Sequence, residues 1–221
     1  MKRFKVSFLI ISVLIAVLMG LATSHAAEPQ ISAGVYHTMA IKSDGTLWAW
    51  GFNEQGQLGI GTTIYRNTPI QVGSNNDWLS VAAGDWHTIA LKSDGTLWAW
   101  GAGNGSSPVQ IGSDNDWTSI SAAAGHNMAL KSDGTLWAWG WNGYGQLGDG
   151  TTTDRPSPVR IGSDNDWLSV SVGHIHAMAL KIDGTLWAWG FNGVGNLGDG
   201  TTENRLSPVQ IGSENDLSIK N

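Results

Sequence analysis

Nine residues, Ser43-Asp44-Gly45-Thr46-Leu47-Trp48-Ala49-Trp50-Gly51, recur from Ser93 to Gly101 and from Ser132 to Gly140, and again from Ile182 to Gly190 with Ile in place of Ser. Such a period constrains a fold more than any other sequence feature, because each unit must be one small piece of structure that buries its apolar face against copies of itself. The hairpin aspartates fall at Asp44, Asp94, Asp133 and Asp183, giving spacings of 50, 39 and 50 residues. The second unit is therefore 11 residues short. It lacks a Gly-rich loop: the third unit carries Gly145-Gln146-Leu147-Gly148-Asp149-Gly150, where the second passes from Gly105 almost directly to Ser107-Pro108-Val109.

Within the fourth unit, Leu168 to Val172 alternates apolar and polar residues as a half-buried strand does. His176 to Lys181 and Thr185 to Trp189 are β-prone runs separated by Ile182-Asp183-Gly184. An Asp-Gly pair between such runs predicts a hairpin whose central residues both take positive φ. Ser207 to Ile211 supplies a fourth strand, and its Pro208 suits a strand start or edge, where a missing N–H breaks no ladder. Four short antiparallel strands per unit, at a period of about 40 to 50 residues, predict an all-β fold of β-propeller blades. Trp187 and Trp189 are two apart and so share one face of the blade, with Leu186 and Ala188 on the other. A lone four-stranded sheet cannot bury both faces, so the paired Trp are expected to fill the space between blades.

The run Trp139-Gly140-Trp141-Asn142-Gly143-Tyr144-Gly145-Gln146-Leu147-Gly148 recurs from Trp50 to Gly59 and, with Asn196 for Gln, from Trp189 to Gly198. With the Gly-x-x-His that opens each hairpin, it closely resembles the repeat of the regulator of chromosome condensation family. The likeness is to an exported, bacterial-type member. Unit two departs by losing its loop, and unit three by having Ala123 where the others have Gly34, Gly84 and Gly173. The resemblance implies a propeller, typically of seven blades, much more than it implies an activity. Family members include a nuclear exchange factor for a small GTPase and secreted bacterial propellers, among them an inhibitor of β-lactamases. Four blades at the rotation of a seven-bladed ring, roughly 51° each, sweep only about 206°. The expectation is thus an open arc or partial propeller of four regulator-of-chromosome-condensation-like repeats, with units at about 31–78, 79–117, 118–167 and 168–217. Asn215-Asp216-Leu217-Ser218-Ile219 looks like the start of a further unit, which leaves open a truncated product, a ring completed by two chains, or tight closure by four blades. Exposed end blades offer sheet edges for self-association.

Lys2, Arg3 and Lys5 precede an uncharged apolar run, Val6 to Leu21, and Ser24 and Ala26 sit where a signal peptidase reads. This predicts a signal peptide over 1–26 with cleavage after Ala26, ahead of a retained membrane anchor, since a spanning helix needs about 20 apolar residues. The product over 27–221 is expected to be secreted, periplasmic or at the cell surface, with no stable membrane insertion. The chain has no Cys, so neither a lipid anchor on cysteine nor a disulfide is available to it. Removing 1–26 leaves nine Lys and Arg against 18 Asp and Glu, a net charge of −9. That balance argues against nucleic acid, whose phosphates must be neutralised by cations.

One His stands seven residues before each hairpin Asp, at His37, His87, His126 and His176. Four symmetry-related imidazoles could converge on a metal; repetition favours instead one identical local hydrogen bond within each blade. Asp114-Asn115-Asp116 and Asp164-Asn165-Asp166 lack the Gly and Glu of a calcium loop and read as links between blades. No metal, cofactor or phosphate-binding motif is expected. An enzyme needs a unique, asymmetric set of groups, whereas these His and most carboxylates repeat, His174 being the exception. The chain therefore reads as a non-enzymatic binding module. Binding is assigned to what differs between units: the pair before the repeated His, which includes Tyr36, Asp85, Trp86 and His174, and the residue after Trp-Gly, which gives Phe52, Trp141 and Phe191. A protein partner is the leading expectation. The alternative is a carbohydrate or cell-wall ligand stacked on exposed Trp.

Overall fold

The computed structural model describes residues 27–212, so the expected signal peptide and the partial fifth start lie outside the described residues. Among the described residues sixteen strands make four antiparallel sheets, each in simple sequence order. The first holds β1 (Gln30–Ala33), β2 (His37–Ile41), β3 (Leu47–Gly51) and β4 (Arg66–Gln71). The second holds β5 (Trp78–Ala83), β6 (His87–Lys92), β7 (Leu97–Gly101) and β8 (Gly105–Gln110). β9 (Trp117–Ala123), β10 (His126–Lys131), β11 (Leu136–Gly140) and β12 (Arg155–Arg160) form the third. The fourth is β13 (Trp167–Val172), β14 (His176–Lys181), β15 (Leu186–Gly190) and β16 (Arg205–Ile211), in which Pro208 lies on the outer edge strand. The leading strands β1, β5, β9 and β13 pack in succession. Among the described residues no extended packing joins the fourth sheet to the first, so the blades form an open arc.

Strand alternation explains how blades meet. Met39 pairs across from Ala49 and Ile41 from Leu47, which gives the first blade an aliphatic face. That face buries against Trp78, Val81 and Trp100 of the second blade. Ile89, Leu91, Leu97 and Ala99 meet Trp117 and Trp139 in the same way, and Met128, Leu130 and Leu136 meet Trp167 and Trp189. Each junction is thus an aliphatic face against an indole face. Trp100, Trp139 and Trp189 are 0%, 6% and 0% exposed, as blade packing requires. Trp50, whose indole face meets no other blade among the described residues, is only half-buried.

The hairpin differs in detail from its sequence prediction. Gly45 N–H donates to Lys42 O, and only Gly45, not Asp44, takes a positive φ, of 77°. The turn is therefore four residues, Lys42 to Gly45, closed by a left-handed glycine, and Asp44 serves through its side chain instead. Asp44 Oδ1 accepts both Thr46 N–H, at 3.0 Å, and Thr46 Oγ1–H, at 2.6 Å, and Thr46 Oγ1 accepts Trp48 Nε1–H at 2.9 Å. The same relay recurs at Asp94, Asp133 and Asp183. A Thr135→Val variant strands the Trp137 indole N–H and removes one of the two hydrogen bonds to Asp133, and should lower stability by about 1–2 kcal/mol in urea unfolding. An unchanged midpoint would show the relay to be idle.

The acidic segments do run between blades. Lys131 Nζ lies 2.6 Å from Asp114 Oδ2 and 3.1 Å from Asp116 Oδ1, and it sits over the rings of Trp117 and Trp137. Lys181 repeats this with Asp164, Asp166, Trp167 and Trp187.

Candidate functional site

All seven binding candidates stand on one end of the arc, because the first and third connections of an antiparallel four-stranded sheet emerge on the same side. A main-chain bond registers those two connections. Phe52 N–H donates to Tyr36 O, and Ala102 to Trp86 O, Trp141 to Gly125 O and Phe191 to Ile175 O in the other blades. The residue after Trp-Gly is thereby held beside the residue before the repeated His. The two sets of variable positions form one surface.

On that surface Tyr36, Phe52 and Trp86 come together, at centroid separations of 5.5 to 5.9 Å. Tyr65, which precedes β4 and which sequence reasoning missed, stacks on Phe52 at 4.9 Å. Tyr36, Tyr65 and Trp86 nevertheless remain 58%, 51% and 40% exposed. A second group joins Trp141 and Phe191 through Tyr144, also missed, at 5.6 and 5.3 Å. Tyr65 occupies the place of Asp154 and Asn204, and Tyr144 that of Gln55 and Val194. Comparing the units at every loop position would have exposed both.

The Gly-rich loops that carry these rings are built around one buried Asn. Asn142 Oδ1 accepts Leu147 N–H at 2.9 Å, while Nδ2 donates to Thr151 O and Thr153 O. Gln146 Oε1 accepts Tyr144 N–H at 2.9 Å. The loop so folded is rigid enough to present an aromatic ring without losing much entropy on contact.

Asp85 and His174 have a different place. Asp85 Oδ1 accepts Ala124 N–H at 3.1 Å, which ties loops of the second and third blades, and Oδ2 lies 3.8 Å from His174 Nδ1 of the fourth. His174 remains exposed. The tight turn at Ala124, with φ of 42°, is where unit three carries Ala123 in place of Gly. The departure alters the loop and leaves the blade intact.

The repeated imidazoles correct the sequence reading, which placed each bond inside its own blade. His37 Nε2 is 2.9 Å from Thr88 Oγ1, and His87 Nε2 is 2.6 Å from Asn127 Oδ1, both in the next blade. Thr88 Oγ1 donates to Gln57 O, so His37 Nε2 must carry the proton. Ala177 holds the position of Thr88 and Asn127 in the fourth unit and offers no side-chain acceptor, and both ring nitrogens of His126 lack a partner among the described residues. Burial, assisted by neighbouring imidazoles, lowers His37 and His126 to about 4, and burial also lowers His87 and His176. Among the described residues no group of three or more His, Asp or Glu comes together to hold a metal.

Two models of the regulator of chromosome condensation (RCC1) repeat match this chain, one over residues 44–91, 133–180 and 183–220, the other over 30–57, 78–106 and 117–146. The chain belongs to that repeat family. The repeat explains the Gly-x-x-His geometry, since in its first, second and fourth copies the glycine lies directly beneath the imidazole. Among curated proteins the chain is 45% identical over 56 residues to the Ultraviolet-B receptor UVR8 of Arabidopsis thaliana, covering 25% of this chain and 13% of that protein. It is 50% identical over 42 residues to Ras guanine nucleotide exchange factor C of Dictyostelium discoideum, covering 19% and 3%. Among solved RCC1-like propellers, Prp20p from Saccharomyces cerevisiae matches with a TM-score of 0.75 at 23% identity, covering 83% of this chain and 50% of that one. Human WBSCR16 matches with a TM-score of 0.75 at 22% identity, covering 85% and 54%. The chain therefore spans about half the length of these structures and far less of the curated relatives. A short match to the RIP homotypic interaction motif covers only residues 104–116, on β8 and the turn after it.

Proposed function

We propose that this chain is an exported, non-enzymatic propeller module that captures a protein partner on its aromatic loop face. One observation carries the reading. Rings from two blades, Tyr36, Phe52, Tyr65 and Trp86, pack on one another yet stay accessible at loop sites that vary between units. Pre-organised Tyr and Trp are the side chains that dominate protein interfaces. The rings meet mostly tilted or edge-on, with Phe52 and Tyr65 stacked, so they form an uneven surface suited to an inserted side chain. Prp20p, too, is described as binding Gsp1p and histones and, in a second structure, is bound to Kap60. Export rests on the charged, then apolar, N-terminal residues of the sequence.

A Tyr36→Ala/Trp86→Ala variant should keep its unfolding midpoint and lose at least ten-fold in capture of a protein from the extracellular fraction. Capture that is indifferent to the double substitution would sink the assignment. A glycan-array signal abolished by the same variant would transfer it to carbohydrate.

A further inference from the structure

We propose that the junction of the second and third blades binds a peptide turn bearing a leucine flanked by glycine. The chain's other junctions show what fits such a place. Between the first and second blades, Gln57 O accepts both Trp100 Nε1–H and Thr88 Oγ1–H, each at 2.9 Å. Leu58 is buried beside them, and Gly59 lies so near the indole that a Cβ would stand 2.7 Å from Trp100 Nε1. Between the third and fourth blades, Gln146 O accepts Trp189 Nε1–H at 3.0 Å, Leu147 is buried, and Gly148 lies against the indole in the same way. Each loop thus contributes one main-chain acceptor, one aliphatic side chain and one glycine that an indole permits to approach.

The second blade has no such loop, and a cavity of about 430 Å³ opens where it would lie. Trp139, Asn127, Ile111, Gly103 and Trp86 line it. Trp139 is the counterpart of Trp100 and Trp189, but among the described residues its Nε1–H has no acceptor. Ile111, the counterpart of the buried Val72 and Ile161, is only half-buried. Asn127, in the place of Thr88, accepts His87 Nε2–H on its Oδ1. The cavity therefore offers an indole donor above an aliphatic floor, within the roughly 300–1,000 Å³ of sites that enclose small ligands. It asks for a carbonyl acceptor and a branched aliphatic group with no bulk at the indole face. Arg155 also lines the cavity, with its guanidinium paired to Asp149. This site is separate from the aromatic cluster, though Trp86 borders both.

The test uses the full chain and a cyclised peptide with the sequence of residues 142–155. Nuclear magnetic resonance should show a saturable shift of the Trp139 indole N–H, and a peptide with Leu147→Asp should bind at least about ten-fold more weakly. Replacing residues 101–105 by residues 140–155 supplies the loop from within and should abolish binding, whereas Tyr36→Ala should leave it intact. No saturable shift at millimolar peptide, equal binding of the Leu147→Asp peptide, or binding that survives the loop graft would each overturn the proposal.

Discussion

Trp189→Ala should lower the free energy of unfolding by about 3–5 kcal/mol, as should Trp100→Ala. Both indoles are fully buried at a blade junction, and each also donates to a loop carbonyl that truncation leaves unpaired. A domain of this size has roughly 5–15 kcal/mol in all, so either change brings the chain close to unfolding at ordinary temperature. Trp50→Ala, at the same repeat position but half-buried, should lose less than half as much. Circular dichroism during urea unfolding measures the three variants side by side. Equal losses at Trp50 and Trp100 would mean that the junctions are not where the stability resides.

Acid should weaken the fold through its buried imidazoles. His37 and His126 titrate near 4 in the folded chain, against about 6.5 when unfolded. Between those values the unfolded chain binds the extra protons, so stability is complete above pH 6.5 and falls as pH drops towards 4. From pH 7 to 4.5 the loss should be on the order of 2–3 kcal/mol for each of the two. His87 and His176 shift in the same direction and add to it. Among the described residues His126 has no hydrogen-bond partner to lose, and His126→Leu should make the pH profile visibly shallower. A flat unfolding midpoint across pH 7 to 4.5 would contradict the buried, neutral state of these rings.

The blade was legible because its determinants are local. Alternation in Leu186-Trp187-Ala188-Trp189, the Asp-Gly pair and the position of Pro208 each speak through neighbours in the chain. Even so, the turn at Asp44-Gly45 was misread in type, since the relay through Thr46 to Trp48 lets Asp44 keep a negative φ. The imidazole bonds were misassigned because their partners, Thr88 and Asn127, lie a blade away, and inter-blade register is not a local property. The aromatic surface was half legible. Tyr36, Phe52 and Trp86 sit beside repeated motifs, whereas Tyr65 and Tyr144 are brought in by loops folded around Asn53 and Asn142. Asp85, also singled out from its variable position, in addition holds a neighbouring loop through Ala124, a blade away.

Every junction runs the same way: the aliphatic side of one blade receives the indole side of the next, and the imidazole bonds point forward with it. Each module is therefore a plug on one flank and a socket on the other. Gain, loss or exchange of a whole module regenerates a compatible seam without redesign, which is how an array of this kind can grow by duplication. It also explains why one module could shed eleven residues while its neighbours kept their form.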